Sequence, residues 1–383
     1  MRSAWTWFVV AAIVAVIALY APLPLGAQTP ASGVVRGPGL ATPAAIRAYW
    51  TSERLNAARP RELPSRVRPP VGGPAAPLTG IGTFTEGNEP GRAPGVPRRL
   101  PEALRGEATP LSHTAFTYPY PFNRYQVFPI TVSPFAVYQN FPFRTIGKLF
   151  FTLSGVNYVC SASSVTSGSG GNQSLVWTAG HCVHEGGPGG TFATNVLFVP
   201  AYRDGAQPFG SWTAHALFTS AGWANSSNLR VDFGIIVVNR RSSDGATLGS
   251  VVGTLGIATG VTDHQHYHVF GYPAAPQTVW PGTSFNGNRM WGCQSSAARR
   301  VTEEPGSGPA PVAVGCDMTG GSSGGPWVMG LNDGYSMGWH VNGGFLNGNV
   351  SYRYSNEPRA INGPYFGSEA FDLWNAARTT PVP

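Results

Sequence analysis

Residues 316–327 read CDMTGGSSGGPW, with two adjacent serines, Ser322 and Ser323, inside a run of glycines closed by a proline. A serine hydroxyl is a poor nucleophile at neutral pH; it needs a base to take its proton and a carboxylate to hold that base. A candidate base stands in SLVWTAGHCV, where His181 follows an apolar run and is flanked by Gly180 and Cys182. The nearby His184, in HCVHE, reads as an ordinary loop residue. For the carboxylate, Asp232 leads straight into the most apolar predicted strand of the main domain, DFGIIVV. A carboxylate there is costly to bury unless it is hydrogen-bonded, and an imidazole N–H would serve. Asp204 and Asp244 lie in YRDGAQ and SSDGAT, where an aspartate is a turn residue.

The elements that must position these groups are short strands. From about Tyr118 onward, β-branched or alternating runs recur between Gly, Asn and Ser: GKLFFTL, VNYVCSASSV, SLVWTAG, NVLFVPAY, DFGIIVV, YHVFGYP, GPWVMG and YSMGWHV. Many short strands with turn signals predict an all-β fold of antiparallel sandwiches or barrels. One stretch near the end, Gly367 to Arg378 (GSEAFDLWNAAR), reads as a helix, with Ser368 as its cap and Phe371, Leu373 and Trp374 packing.

The region before Tyr118 differs. Residues 28–117 hold 14 prolines and few aromatics, a composition that cannot bury enough apolar surface to offset its ordering entropy. Within it, TPAAIRAYWTSERLNAA has Thr42 as a helix cap, Pro43 at the first helical position, and Ile46, Trp50 and Leu55 on one face. Such a helix needs a surface to dock on. The segment is expected to be a largely disordered pro-segment, 28–117. Ahead of it, Met1-Arg2-Ser3, the apolar run Phe8 to Tyr20 and the small residues to Ala27 read as a cleaved export signal, 1–27, with a retained membrane anchor as the alternative.

Charge is split the same way. The chain carries a net charge of +7, but residues 1–117 hold 12 Arg and 6 acidic residues, leaving +1 for the rest. The main domain therefore has no strong electrostatic footprint for nucleic acid or acidic membranes.

Export makes disulfides the expected state of Cys160, Cys182, Cys293 and Cys316, for which three pairings are open; pairing in sequence order would close two loops of similar size. No pair has the CxxC spacing of a zinc site. His264, His266 and His268 share one face of a predicted strand but lack a completing carboxylate or cysteine. Neither metal nor other cofactor is expected.

His181 in TAGHC, Asp232 in DFGIIVV and Ser323 in GGSSGGP, in that order and separated by 51 and 91 residues, together resemble the trypsin-like (chymotrypsin-fold) serine peptidases, and most the secreted bacterial glutamyl-endopeptidase-like branch. The resemblance covers roughly residues 140 to 377. It implies two antiparallel Greek-key β-barrels, at about 140–245 and 246–365 of a domain spanning 118–383, with the C-terminal helix at about 367–378. It also implies a catalytic triad of His181, Asp232 and Ser323, oxyanion donors at Gly321 and Ser323, and a disulfide from Cys160 to Cys182 beside the base, which leaves Cys293 with Cys316. Ser322 stands where the digestive enzymes carry an aspartate that pairs with a freed N-terminus, so control is assigned instead to removal of residues 28–117.

For the side chain preceding the scissile bond (P1), two expectations compete. Asp317, six residues before Ser323, implies basic P1 residues, whereas His340 in GWHVNGG, with Thr319, implies acidic ones; the acidic reading is favoured. The implied protein is a secreted monomeric endopeptidase acting on polypeptides, with its own pro-segment as partner, and with no nucleic acid and no stable membrane association. Two other classes fit less well. Gly321 to Gly325 also satisfies the G-x-S-x-G of α/β-hydrolases, but the acid-then-histidine order that fold needs after it is met only by Asp333 and His340, very close together. A binding protein on a peptidase scaffold would be expected to have lost a triad residue.

Overall fold

The computed structural model describes residues 33–68, 82–90, 98–99, 121–127, 131–132, 135–263, 265–276, 285–331 and 344–383. The expected export signal, His264, His340, the run YSMGWHV and much of the expected pro-segment lie outside the described residues.

In chain order the first strands are short: β1 (Val34–Arg36), β2 (Arg59–Pro60), β3 (Ser65–Arg66), β4 (Thr83–Thr85), β5 (Arg98–Arg99) and β6 (Asn123–Gln126), then a small pair, β7 (Thr131–Val132) and β8 (Phe135–Ala136). Six longer strands follow: β9 (Ile146–Leu153), β10 (Val156–Val165), β11 (Leu175–Thr178), β12 (Thr194–Pro200), β13 (Trp212–Ser220) and β14 (Gly234–Val238). They pair antiparallel in the order β13-β12-β9-β10-β11-β14, and β13 pairs with β14, so the barrel closes. Its interior is a cluster of Leu149, Phe151, Val176, Phe198, Trp212, Ile236 and Val238. Every residue of β9 is buried, which is why IGKLFFTL reads as an apolar run rather than an alternation. That run includes Lys148, whose ammonium lies over the rings of Phe150 and Tyr202 and is pushed down to about 8 by burial.

The second half contributes β15 (Gly256–Thr259), β16 (His266–Gly271), β17 (Trp291–Arg300), β18 (Val312–Gly315), β19 (Pro326–Met329), β20 (Phe345–Asn349), β21 (Arg353–Tyr354) and β22 (Ala360–Gly363). Its main ladder runs β22-β18-β17-β16-β19-β20-β15-β4-β5, with β6 on β17, and does not return on itself among the described residues. Its core gathers Tyr267, Val269, Val312, Val314, Trp327, Val350 and Ile361 around the Cys293–Cys316 disulfide. The two halves meet across Trp177, whose indole N–H donates to Asn349 at 3.1 Å.

The helical stretch near residue 42 forms as α1 (Pro43–Tyr49), capped by Thr42, and breaks at Trp50 into α2 (Ser52–Ala57), capped by Thr51. Its surface is the outside of the first barrel: Ile46 and Trp50 are buried against Phe150, Leu197 and Val199, and the Trp50 indole donates to the Asn195 carbonyl. Two short helices follow, α3 (Ala221–Ser226) and α4 (Leu248–Val252), and a last one, α5 (Ser368–Arg378). In α5, Ser368 is the first helical residue and Gly367 the cap position. Leu373 and Trp374 pack with Phe218, Ile235 and Val237, so this helix folds back from the second sheet onto the first barrel.

Candidate active site

His181 sits in a single helical turn, Gly180–Cys182, directly after β11. Three things fix that turn. Cys182 is bonded to Cys160 of β10. The His181 backbone N–H donates to Asp232 Oδ1 at 2.8 Å. The ring of Trp223 meets the imidazole edge-on, and its own N–H donates to the His184 carbonyl. His184 is thus part of the support: its Nδ1 accepts from the Gly186 N–H, and burial lowers its basicity.

Asp232 occupies the position just before β14 and is fully buried. Its Oδ2 lies 2.7 Å from His181 Nδ1 and accepts from the Ser351 hydroxyl at 2.6 Å, while Asn349 donates to its carbonyl at 3.2 Å. These donors compensate the buried carboxylate, as the sequence argument requires. With an acceptor-only carboxylate on Nδ1, that nitrogen carries the imidazole proton, and Nε2 is left as the lone-pair acceptor.

Ser323 lies in the loop that leads into β19. Its carbonyl accepts from the Ser161 N–H at 2.7 Å, and the Ser161 hydroxyl donates to the Gly321 carbonyl at 2.9 Å, so one residue of β10 clamps both ends of the turn. Gly324, at φ +77°, packs so closely on the end of β11 that an added Cβ would lie 2.7 Å from the Ala179 backbone nitrogen. The serine loop is thereby stacked against the residues that carry His181. The neighbouring Ser322 turns away and donates to the Thr319 carbonyl at 2.6 Å. Ser323 Oγ and His181 Nε2 are both buried, and neither has a hydrogen-bond partner among the described residues.

On the approach to the serine, Asp317 is buried and ion-paired with Arg124, whose guanidinium also faces the rings of Phe285 and Trp291. Burial raises the Asp317 carboxyl, and Arg124 opposes that rise. Thr319 spends its hydroxyl on the Ala275 carbonyl at 2.6 Å, and Arg353 donates to the Met318 carbonyl. His340 lies outside the described residues. Sequence reading missed Ser161, Ser351, Arg124 and Arg353; each acts through a partner more than 30 residues away, and no local pattern marks it.

No protein-family model matches the chain. Among solved structures, the chain is similar to the protease Anisep from Arthrobacter nicotinovorans, with 37% identity and a TM-score of 0.52, covering 63% of this chain and 98% of that one. It is equally similar to AL20, a thermostable serine protease from an extremophilic microorganism, at 38% identity, TM-score 0.52, and 62% and 98% coverage. The chain belongs to the chymotrypsin-fold serine peptidases. A stretch of 112 residues is also 28% identical to the extracellular metalloprotease of Bacillus subtilis (strain 168), and it spans 33% of that relative's length. In this peptidase, the described residues that come within metal-binding reach of one another are Cys160, His181 and Cys182. They do not fit a metal, because both sulfurs are joined in a disulfide and neither offers a thiolate.

Proposed function

We propose that this peptidase is a secreted endopeptidase that cleaves polypeptides through His181, Asp232 and Ser323. The observation that carries the reading is the bond from His181 Nδ1 to a carboxylate that is itself held by Ser351, which leaves Nε2 as a base beside the serine loop. His181 Nε2 takes the proton of Ser323 Oγ as that oxygen attacks the scissile carbonyl. The tetrahedral oxygen is received by the backbone N–H groups of Gly321 and Ser323, and the protonated imidazole hands its proton to the departing amine. A water molecule, deprotonated in the same way, then releases the acyl group from Ser323.

Two disulfides suit an oxidising, extracellular compartment. For P1, Arg124 occupies the Asp317 carboxylate and Arg353, from β21, brings a second guanidinium to the same loop; once Glu62 leaves with the removed segment, the local balance is positive and favours an acidic P1 side chain. Residues 28–117 act as the partner whose removal frees the enzyme.

A fluorophosphonate probe tests the catalytic reading, since it reacts only with a base-activated serine. The processed wild type should be labelled on Ser323, and the Ser323→Ala protein should not. Equal labelling of both, or of neither, would overturn the assignment.

A further inference from the structure

Residues 59–66 run across the site just described. Arg59 and Pro60 pair parallel with Tyr158 and Val159 of β10, and the Arg61 N–H donates to the Val159 carbonyl at 2.9 Å. The Arg61 carbonyl accepts from the Gly321 N–H at 3.0 Å, the donor assigned above to the tetrahedral oxygen. Leu63 is buried in the cluster that includes Met318, Val350 and Ile361. Beyond it, the Pro64 carbonyl accepts from the Arg353 N–H at 3.2 Å, and Ser65 and Arg66 pair parallel with Arg353 and Tyr354. Two ion-paired arginines close the run: Arg66 with Glu304 at 2.9 Å, and Arg68 with Glu303 and Glu357 at 2.8 and 2.7 Å.

We infer that residues 59–66 are an inhibitor built into the chain and bound in the direction opposite to a substrate. The inference rests on the catalytic roles of His181 and Ser323, because the base fixes which way a substrate must run. The turn carrying His181 is tied to β10 by Cys160–Cys182, so the base stands on the β10 side of the serine loop. A cleavable peptide must place its departing nitrogen on that side, where the imidazole can protonate it, and its acyl half along residues 351–355. Here the polarity is reversed: Arg59 and Pro60, which precede the Arg61 carbonyl, lie on β10, and Pro64 to Arg66, which follow it, lie on 353–355. The amide nitrogen of Glu62 therefore leads away from His181. The peptide bond whose carbonyl fills the oxyanion position cannot be completed as a substrate, and the segment blocks the cleft without being cut at its own contact. Activation must then come from a cut outside 59–66, made by another molecule, followed by departure of the segment.

The test uses the full chain in four forms: wild type, Leu63→Asp, the rim pair Arg66→Glu with Arg68→Glu, and Ser323→Ala. Backbone hydrogen exchange reads docking without any need for activity, fluorophosphonate labelling reads access to Ser323, and mass spectrometry reads cuts. The expected result is protection of residues 59–66 in the wild type and in Ser323→Ala, with protection lost in the two docking variants. Labelling of both docking variants should be about tenfold or more faster than that of the wild type, with the segment still attached. No cut should form at Arg61–Glu62. Labelling of the wild type as fast as both variants, or a segment that exchanges like exposed chain, would overturn the inhibitory docking. A Ser323-dependent cut at Arg61–Glu62 would overturn the reversed direction. Protection lost in the variants without labelling of any form would remove the serine assignment and leave the docking standing.

Discussion

Asp232 grips His181 at two points, accepting from the backbone N–H through Oδ1 and holding the ring nitrogen Nδ1 through Oδ2 at 2.7 Å. One carboxylate thus sets both the position of the turn and the tautomer of the ring. Asp232→Asn keeps the shape but presents an N–H to Nδ1, forcing the proton onto Nε2, where it disables the base. The expected loss in kcat is about ten-thousand-fold with little change in KM. Ser351→Ala removes one charge-assisted hydrogen bond to the same oxygen and should cost about ten- to a hundredfold in kcat. Steady-state kinetics on a peptide substrate separate the two, and an Asp232→Asn enzyme within tenfold of wild type would contradict the role.

The serine loop depends on a close approach rather than on a side-chain bond. Gly324 has both a positive φ and no room for a methyl group, because its Cβ would press on Thr178 and on the Ala179 nitrogen. Gly330 also has a positive φ, at +60°, but open space around it. Gly330→Ala should cost only the backbone strain of about 1 kcal/mol and leave turnover intact. Gly324→Ala should in addition push Ser323 away from His181 and lower kcat on the order of a hundredfold. Thermal melts and kinetics on the two variants check this, with equal turnover in both as the contrary outcome.

The residues that meet around His181 were more legible in the sequence than the segment that covers them. Asp232 could be preferred to Asp204 and Asp244 because it opens an apolar strand, and the other two do pair with surface arginines, Asp204 with Arg289 and Asp244 with Arg241. Strand β14 announced itself as an apolar run. β17 did not, since WGCQSSAARR mixes buried and half-exposed positions without a period. Composition argues that residues 28–117 cannot make a core of their own. It is silent on a borrowed one, and Ile46, Trp50 and Leu63 each bury in a cluster of the barrels. The reversed run of Arg59 to Arg66 depends on pairing with residues 158–159 and 353–354, a relation that no local pattern encodes.

Release of that run should respond to acid through Glu304. Burial pushes this carboxyl above its ordinary range, while Arg66, Tyr354, Tyr352 and Arg230 pull it back. Tyr354 and Arg230 stay with the main domain and keep Glu304 enclosed; with that burial retained, the change it feels when residues 59–68 leave is the loss of Arg66, and the carboxyl is then more easily protonated in the released state than in the docked one. Docking therefore gains its full contribution at pH values above the released-state pKa and loses it as pH falls through the docked value, in a window above the ordinary carboxylate range. Exchange protection of residues 59–66 should weaken between neutral and mildly acidic pH, and Glu304→Gln should flatten that dependence. An unchanged slope in Glu304→Gln would assign the effect elsewhere.

Specificity should follow the charge balance at the serine loop. Asp317 alone would attract a basic P1 side chain, but its carboxylate is buried and matched by Arg124, and burial opposes its charged form. Arg353, in β21, adds a second guanidinium beside the Met318 carbonyl, facing Asp317 and Glu62; Glu62 leaves with the processed segment, so the balance at the loop is then positive. In a panel of chromogenic peptides differing only at P1, the processed enzyme should prefer Glu to Arg by about tenfold or more in kcat/KM. Arg124→Gln removes the Asp317–Arg124 ion pair and should shift that ratio toward Arg by a similar factor, provided that the variant still melts cooperatively. A wild type that prefers Arg or Lys would mean that Asp317 keeps its charge available to substrate despite Arg124, and the acidic reading would fall.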